Sequence, residues 1–220
     1  TTGANNHAFG ANALDAVTTG SHNIGIGKDA GGAITTANEN TAVGHNALAV
    51  TTTGANNVAI GSSALDANTT ASNNTAVGTS SLGANTTGTA NTGLGCQALQ
   101  ANTTASNKTA SGFQSLVANT TGSENTAVGA FALDANTTGG NNTAVGHNAL
   151  TANTTASNNT AFGKSSLQSI TTGTANTGLG KEAGGAITTG DYNTFVGIAG
   201  FATTTASNNT GVGYNAMANN

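Results

Sequence analysis

Thirteen glycines lie on one ruler along this chain: Gly10, Gly27, Gly44, Gly61, Gly78, Gly95, Gly112, Gly129, Gly146, Gly163, Gly180, Gly197 and Gly213. Every interval is seventeen residues except the last, which is sixteen. A fixed period carried end to end means one supersecondary unit stacked on copies of itself. The unit reads roughly N-T-A-V-G-x-x-A-L-x-A-N-T-T-A-S-N. We therefore read residues 1–220 as a single continuous repeat array. Because the repeat runs to both ends, the expectation is a segment of something longer.

The same pattern decides between order and disorder. Charged residues make up 5% of the chain, and Gly, Ala, Asn and Thr carry it. Disordered chains combine high net charge with no apolar phasing; here the net charge is −4 and the apolar positions keep strict phase. The four lysines, Lys28, Lys108, Lys164 and Lys181, are scattered, and there is no Arg. Phosphate backbones need clustered cations, so nucleic acid is not expected as a partner. No stretch approaches the ~20 apolar residues of a membrane span, and no membrane insertion is expected. Cys96 stands alone and makes no intrachain disulfide framework.

Within the unit, a large apolar residue precedes the marker glycine. Val43, Ile60, Val77, Leu94, Val128, Val145, Phe162, Leu179 and Val196 are read as the core ladder. Ser111 is the exception, and a small residue precedes each of them except Val196, which follows Phe195. Three and four residues after the glycine comes a second pair, such as Ala64-Leu65 and Ala149-Leu150. Gly31 and Gly184 break it, with Ile34 and Ile187 able to supply the missing bulk; Gly200 and Phe201 form the pair after Gly197. Two short apolar pairs among Asn and β-branched Thr leave no helical stripe. The expectation is all-β: a parallel β-solenoid (β-roll or β-helix) of thirteen stacked coils. Two short strands per coil are expected, one at Thr75-Ala76-Val77 and one through Ala-Leu. Gly44, Gly61, Gly78, Gly95, Gly112, Gly129, Gly146 and Gly163 are read as structural bends needing positive φ or close backbone approach. Asn125, Asn142, Asn159, Asn176 and Asn193 are expected to bond along the axis as a ladder.

Adjacent strand residues point to opposite faces. Ala76 and Val77 are both apolar, as are their equivalents. One set is expected to line the inside and the other to leave an aliphatic stripe in water, which would mark an interface; the alternative is a flat roll whose bend turns both inward. The expected partners are copies of the chain itself.

The unit Asn142 to Asn158, N-T-A-V-G-H-N-A-L-T-A-N-T-T-A-S-N, resembles the tandem repeats of phage tail-fibre and bacterial surface-fibre proteins. Its core N-T-A-V-G is similar, more distantly, to the head repeats of trimeric autotransporter adhesins, whose unit is shorter. The resemblance covers essentially the whole chain. It implies a lateral homotrimer and an extracellular, cell-surface or virion location; a head-to-tail filament, with or without the trimer, is expected because an open solenoid end exposes strand edges.

Sites are sparse. Asn68, Asn85, Asn102, Asn119, Asn136 and Asn153, each followed by Thr-Thr, form one row of candidate N-glycosylation acceptors. Asn73, Asn107, Asn141, Asn158 and Asn208 form a second. His45 and His147 share a phase, as do Asp15, Asp66 and Asp134, without ligand companions. No metal, cofactor or catalytic residues are expected, and no enzyme. Thr pairs such as Thr18-Thr19, Thr35-Thr36 and Thr171-Thr172 also recur. Ice-binding solenoids use Thr two apart on one face, whereas neighbours in a strand diverge.

The reading is a structural component of an extracellular fibre or filament, a spacer or adhesive shaft. The alternative is a carbohydrate-binding or polysaccharide-processing solenoid touching surface glycans. An ice-binding solenoid is the weaker alternative.

Overall fold

The computed structural model describes residues 2–198 and 205–217. The described chain is an all-β parallel β-solenoid without helix, and each coil contributes one three-residue strand, from His7–Phe9 to Thr210–Val212. It folds as two compact units, Thr1–Lys108 and Thr109–Asn220. The first holds six strands and the second seven. Within each unit the strands pair in parallel with their sequence neighbours and in strict phase. Thr75 lies opposite Thr92, Ala76 opposite Gly93 and Val77 opposite Leu94; Thr126, Ala127 and Val128 lie opposite Thr143, Ala144 and Val145.

The expected second strand does not form. The Ala-Leu segment is a run of tight turns, and its leucines take φ between 49° and 55° from Leu14 to Leu167. Leucine is rare in that left-handed region, and nothing in its propensity announces it. The conformation persists because it turns Leu inward, where burial compensates: Leu48, Leu65, Leu82 and Leu150 have no exposed surface. Further along, Thr pairs and a small residue return the chain through backbone bonds to the next coil, as Thr52 N to Thr69 O at 2.9 Å.

The marker glycines do bend the chain, with φ between +127° and +143° from Gly44 to Gly163. They also meet closely: a Cβ on Gly78 would lie 2.5 Å from Gly95 O. Both reasons for glycine apply at once.

The core is not where the large residues suggest. Val43, Val77, Val145 and Val196 are half-buried, and Ile60, Leu94, Val128, Phe162 and Leu179 are exposed. The residue before each of them is the buried one, as Ala42, Ala59, Ala76, Ala144 and Phe195. The reason is space. A Leu side chain from the turn already lies over the strand, so little room remains: a Cβ on Gly178 would sit 2.8 Å from Leu167 Cγ. In most coils one large side chain, supplied by the turn, fills this space; after Leu167 the coil also buries Ile170. Where the turn offers Gly184 instead, the strand eleven residues on offers Phe195, fully buried, whose Cδ2 would be 2.9 Å from a Cβ on Gly184. At Gly31 the replacement is Ile34, buried with Leu14 and Ala37. Ile187 is buried likewise. Gly200 and Phe201 lie outside the described residues.

Buried asparagines complete the interior. In the first unit Asn74 N donates to Asn57 Oδ1 at 3.0 Å, and Asn74 Nδ2 donates to Gly88 O at 2.9 Å. In the second, Asn142, Asn159, Asn176 and Asn193 repeat the pattern, and Asn193 Nδ2 also reaches Asn176 Oδ1 at 3.0 Å. The ladder thus ties side chain to backbone as well as amide to amide. Lys108 stands in this column. Its N–H donates to Asn91 Oδ1 at 3.1 Å, and its Nζ donates to Asn102 Oδ1.

Candidate functional surfaces

Three outward surfaces are built by the coil. The first is the outer side of the strands. Because Ala76 points in, Thr75 and Val77 point out, and every coil repeats the choice. Each unit therefore carries a column of large apolar residues, broken at Ser111, spaced by the strand ladder at about 4.8 Å; the column beside it is all Thr in the second unit and mixes Thr with His7, Ile24 and Val58 in the first. Phe162 is 54% exposed and Leu179 47%. The residues read as a core ladder form an external stripe on each unit of the single chain.

The second surface is the turn after the marker glycine, where sequence varies most. In the first unit it presents Lys28, His45 and Cys96, all exposed. Lys28 pairs with Asp29 at 3.6 Å. Asn12 Nδ2 donates to Asp29 Oδ1 at 2.8 Å and holds that carboxyl below its ordinary range. In the second unit Phe113 and Phe131 pack edge to face at 5.4 Å between centroids, and His147 meets Phe131 at 6.1 Å. Exposed Lys164 and Lys181 follow on the next coils, with Lys181 3.3 Å from Glu182. Of the acids that share a phase, Asp66 is raised by burial and Asp134 accepts Thr151 Oγ1 at 2.6 Å. Among the described residues no group of three or more His, Cys, Asp and Glu could hold a metal ion.

The two rows of glycosylation acceptors separate cleanly. Asn68, Asn85, Asn102, Asn119, Asn136 and Asn153 have no exposed surface. They form an interior ladder: Asn102 Nδ2 donates to Asn85 Oδ1 at 2.7 Å and to Ala105 O at 3.1 Å. An amide enclosed this way has no room for a sugar, so this row is withdrawn as a modification site in the folded chain. Asn73, Asn107, Asn141, Asn158 and Asn208 are exposed, at φ between 58° and 63°. Asn tolerates that left-handed conformation better than most residues, which accounts for it without a glycan.

The third surface is the Thr-Thr side. These pairs lie outside the strands, so strand alternation does not govern them as expected from sequence. Thr86 is half-buried and its Oγ1 donates to Thr103 O at 3.1 Å, while Thr87 is exposed. The alternation starts one residue later: Gly88 is buried and Thr89 is exposed. The pattern two apart, sought in the sequence among adjacent threonines, is Thr87 with Thr89.

No family model, no curated protein and no solved structure matches this chain.

Proposed function

We propose that the chain is a structural component of an extracellular fibre or filament, at a cell or virion surface, with a mechanical and adhesive role. The external aliphatic column carries this reading. A regular apolar stripe is what stable assemblies cover. A copy of the same chain presents the same stripe at the same repeat, so lateral packing in register, as a homotrimer, covers it most economically. Head-to-tail continuation is the other mode of self-association. The reading requires no cofactor and no catalytic step. Sedimentation of the full chain beside a Val77→Asp/Val145→Asp variant tests it. A multimer that the variant dissolves supports the reading; a monomer at micromolar concentration removes its basis.

A second reading, glycan binding, is favoured by the Phe113, Phe131 and His147 stack followed by Lys164 and Lys181. Aromatic faces and cations on successive coils suit an acidic sugar chain. A glycan array tests it, and turnover lost on mutating Asp or Glu would move the protein to the polysaccharide-processing class.

A further inference from the structure

We propose that the Thr-Thr side of each unit is a binding face for crystalline water. The inference is independent of the fibre reading. It rests on an unbroken column of exposed threonines in each unit. From Thr19 to Thr104 in the first unit, and from Thr121 to Thr189 in the second, every seventeenth residue is an exposed threonine. The next residue is always Gly or Ala and always buried. The one after is half-buried or exposed and is mostly Ser or Thr, as half-buried Ser72, Ser106 and Ser157 and exposed Thr89. A continuous Thr column thus stands two residues from a second column of mostly hydroxyl-bearing residues, interrupted at Asn38, Ala55, Gly140 and Asp191, and within each unit both repeat along the axis at about 4.8 Å. That axial repeat is close to the oxygen repeat within a layer of hexagonal ice.

The array is held rigid. Flanking hydroxyls are tied to the backbone of neighbouring coils: Thr69 Oγ1 donates to Thr86 O at 3.3 Å, and Ser106 Oγ accepts Thr89 N–H at 3.0 Å. In the second unit Thr137 Oγ1 donates to Thr154 O at 3.0 Å and Ser157 Oγ accepts Gly140 N–H at 3.0 Å. Thr is also stiff at χ1. Groups already fixed lose little freedom on binding. Each exposed Thr offers a methyl that excludes water and a hydroxyl that fits a hydrogen-bonding lattice.

Charge selects the occupant. In the first unit these columns hold no charged residue, and among the described residues of the second they hold one, Asp191. The complement of a neutral hydrogen-bonding crystal is a neutral face; a polyanion or a phosphate finds no partner here. A second copy would want large apolar side chains at the centre of its contact, and those stand on the strand side instead.

The test uses the full chain in nanolitre osmometry and on a single ice crystal with fluorescent protein. The expected result is faceted crystals, a gap between melting and freezing points, and adsorbed fluorescence. Thr87→Tyr/Thr155→Tyr puts bulk on the face of each unit at exposed positions; it should abolish all three with an unchanged melting temperature. Thr87→Lys/Thr155→Lys should do the same should the tyrosines impair folding. Ser62→Tyr/Glu182→Tyr, at exposed positions of the turns after Gly61 and Gly180, should leave ice binding intact. Unshaped crystals with the parent chain overturn the proposal. So does loss in the turn variant alone, or adsorption to crystalline cellulose or chitin with no effect on ice.

Discussion

Ser81 Oγ donates to the carbonyl of Gly93 at 3.0 Å and stands where a side chain on Gly93 would begin: a Cβ there would lie 2.5 Å from it. Ser166 and Gly178 repeat the arrangement at 2.9 Å and 2.5 Å. In most other coils these positions, twelve apart, are both alanine, as Ala64 with Ala76. A hydroxyl thus takes the place of a methyl in the same small space. Ser115 faces the opposite case: twelve residues on stands Ala127, and its buried Oγ has no hydrogen-bond partner.

This pairing predicts compensation. Gly93→Ala alone destabilises the chain, because the methyl meets Ser81 Oγ. Ser81→Ala/Gly93→Ala, which rebuilds the common pair, recovers most of that loss. Urea unfolding of the two variants measures it, and equal destabilisation of both contradicts it. Ser115→Ala, by removing a buried hydroxyl without a partner, stabilises by ~1 kcal/mol.

The inverted core gives a second prediction. Leu150→Ala empties the single large place in its coil and costs about 2–5 kcal/mol. Val145→Asp, on the outer side, lowers the melting temperature of the isolated chain much less. Thermal unfolding at a concentration too low for association separates the two; a larger loss at Val145 returns that column to the core.

The bend predicts a third result. Gly146 has φ +138°, and a Cβ on it would lie 2.4 Å from Gly163 O. Gly146→Ala combines backbone strain of order 1–3 kcal/mol with that clash. Its unfolding midpoint should fall further than that of an exposed Thr87→Ala.

Lys108 makes the first unit pH-sensitive. Burial lowers its ammonium from 10.5 to about 7. Between those values the unfolded chain binds the extra proton, so stability rises with pH. The penalty is fully present below about pH 7 and is relieved as pH climbs towards about 10.5. Its size is on the order of a few kcal/mol. Lys108→Asn, restoring the residue that stands at Asn74 and Asn91, flattens that rise. Unfolding midpoints at about pH 6 and about pH 10 check it.

The glycine column made the solenoid legible, since few other folds require one residue at one interval from end to end. The Thr-Ala-Val strand was legible too. What failed was size as a guide to burial. Val77 is larger than Ala76, yet Ala76 goes inside, because Leu65 from the turn already fills the interior. That Leu sits in a left-handed conformation no propensity forecasts, so its turn read as a strand. Asn68 read equally well as a sugar acceptor or an interior ladder, and only its bonds to Thr51 Oγ1 and Ala71 O decide. The Ser81 and Gly93 substitutions, by contrast, were visible as a paired change twelve residues apart and could have been found.

The central claim is that the outer aliphatic column is an interface between copies. Cryo-electron microscopy of the natural assembly at side-chain resolution tests it most directly. The account predicts several chains packed side by side, with Val77 and Leu94 of the first unit covered by neighbouring copies, and Val145 and Leu179 of the second likewise. A single chain with those side chains in water, under conditions where the assembly is intact, would contradict it.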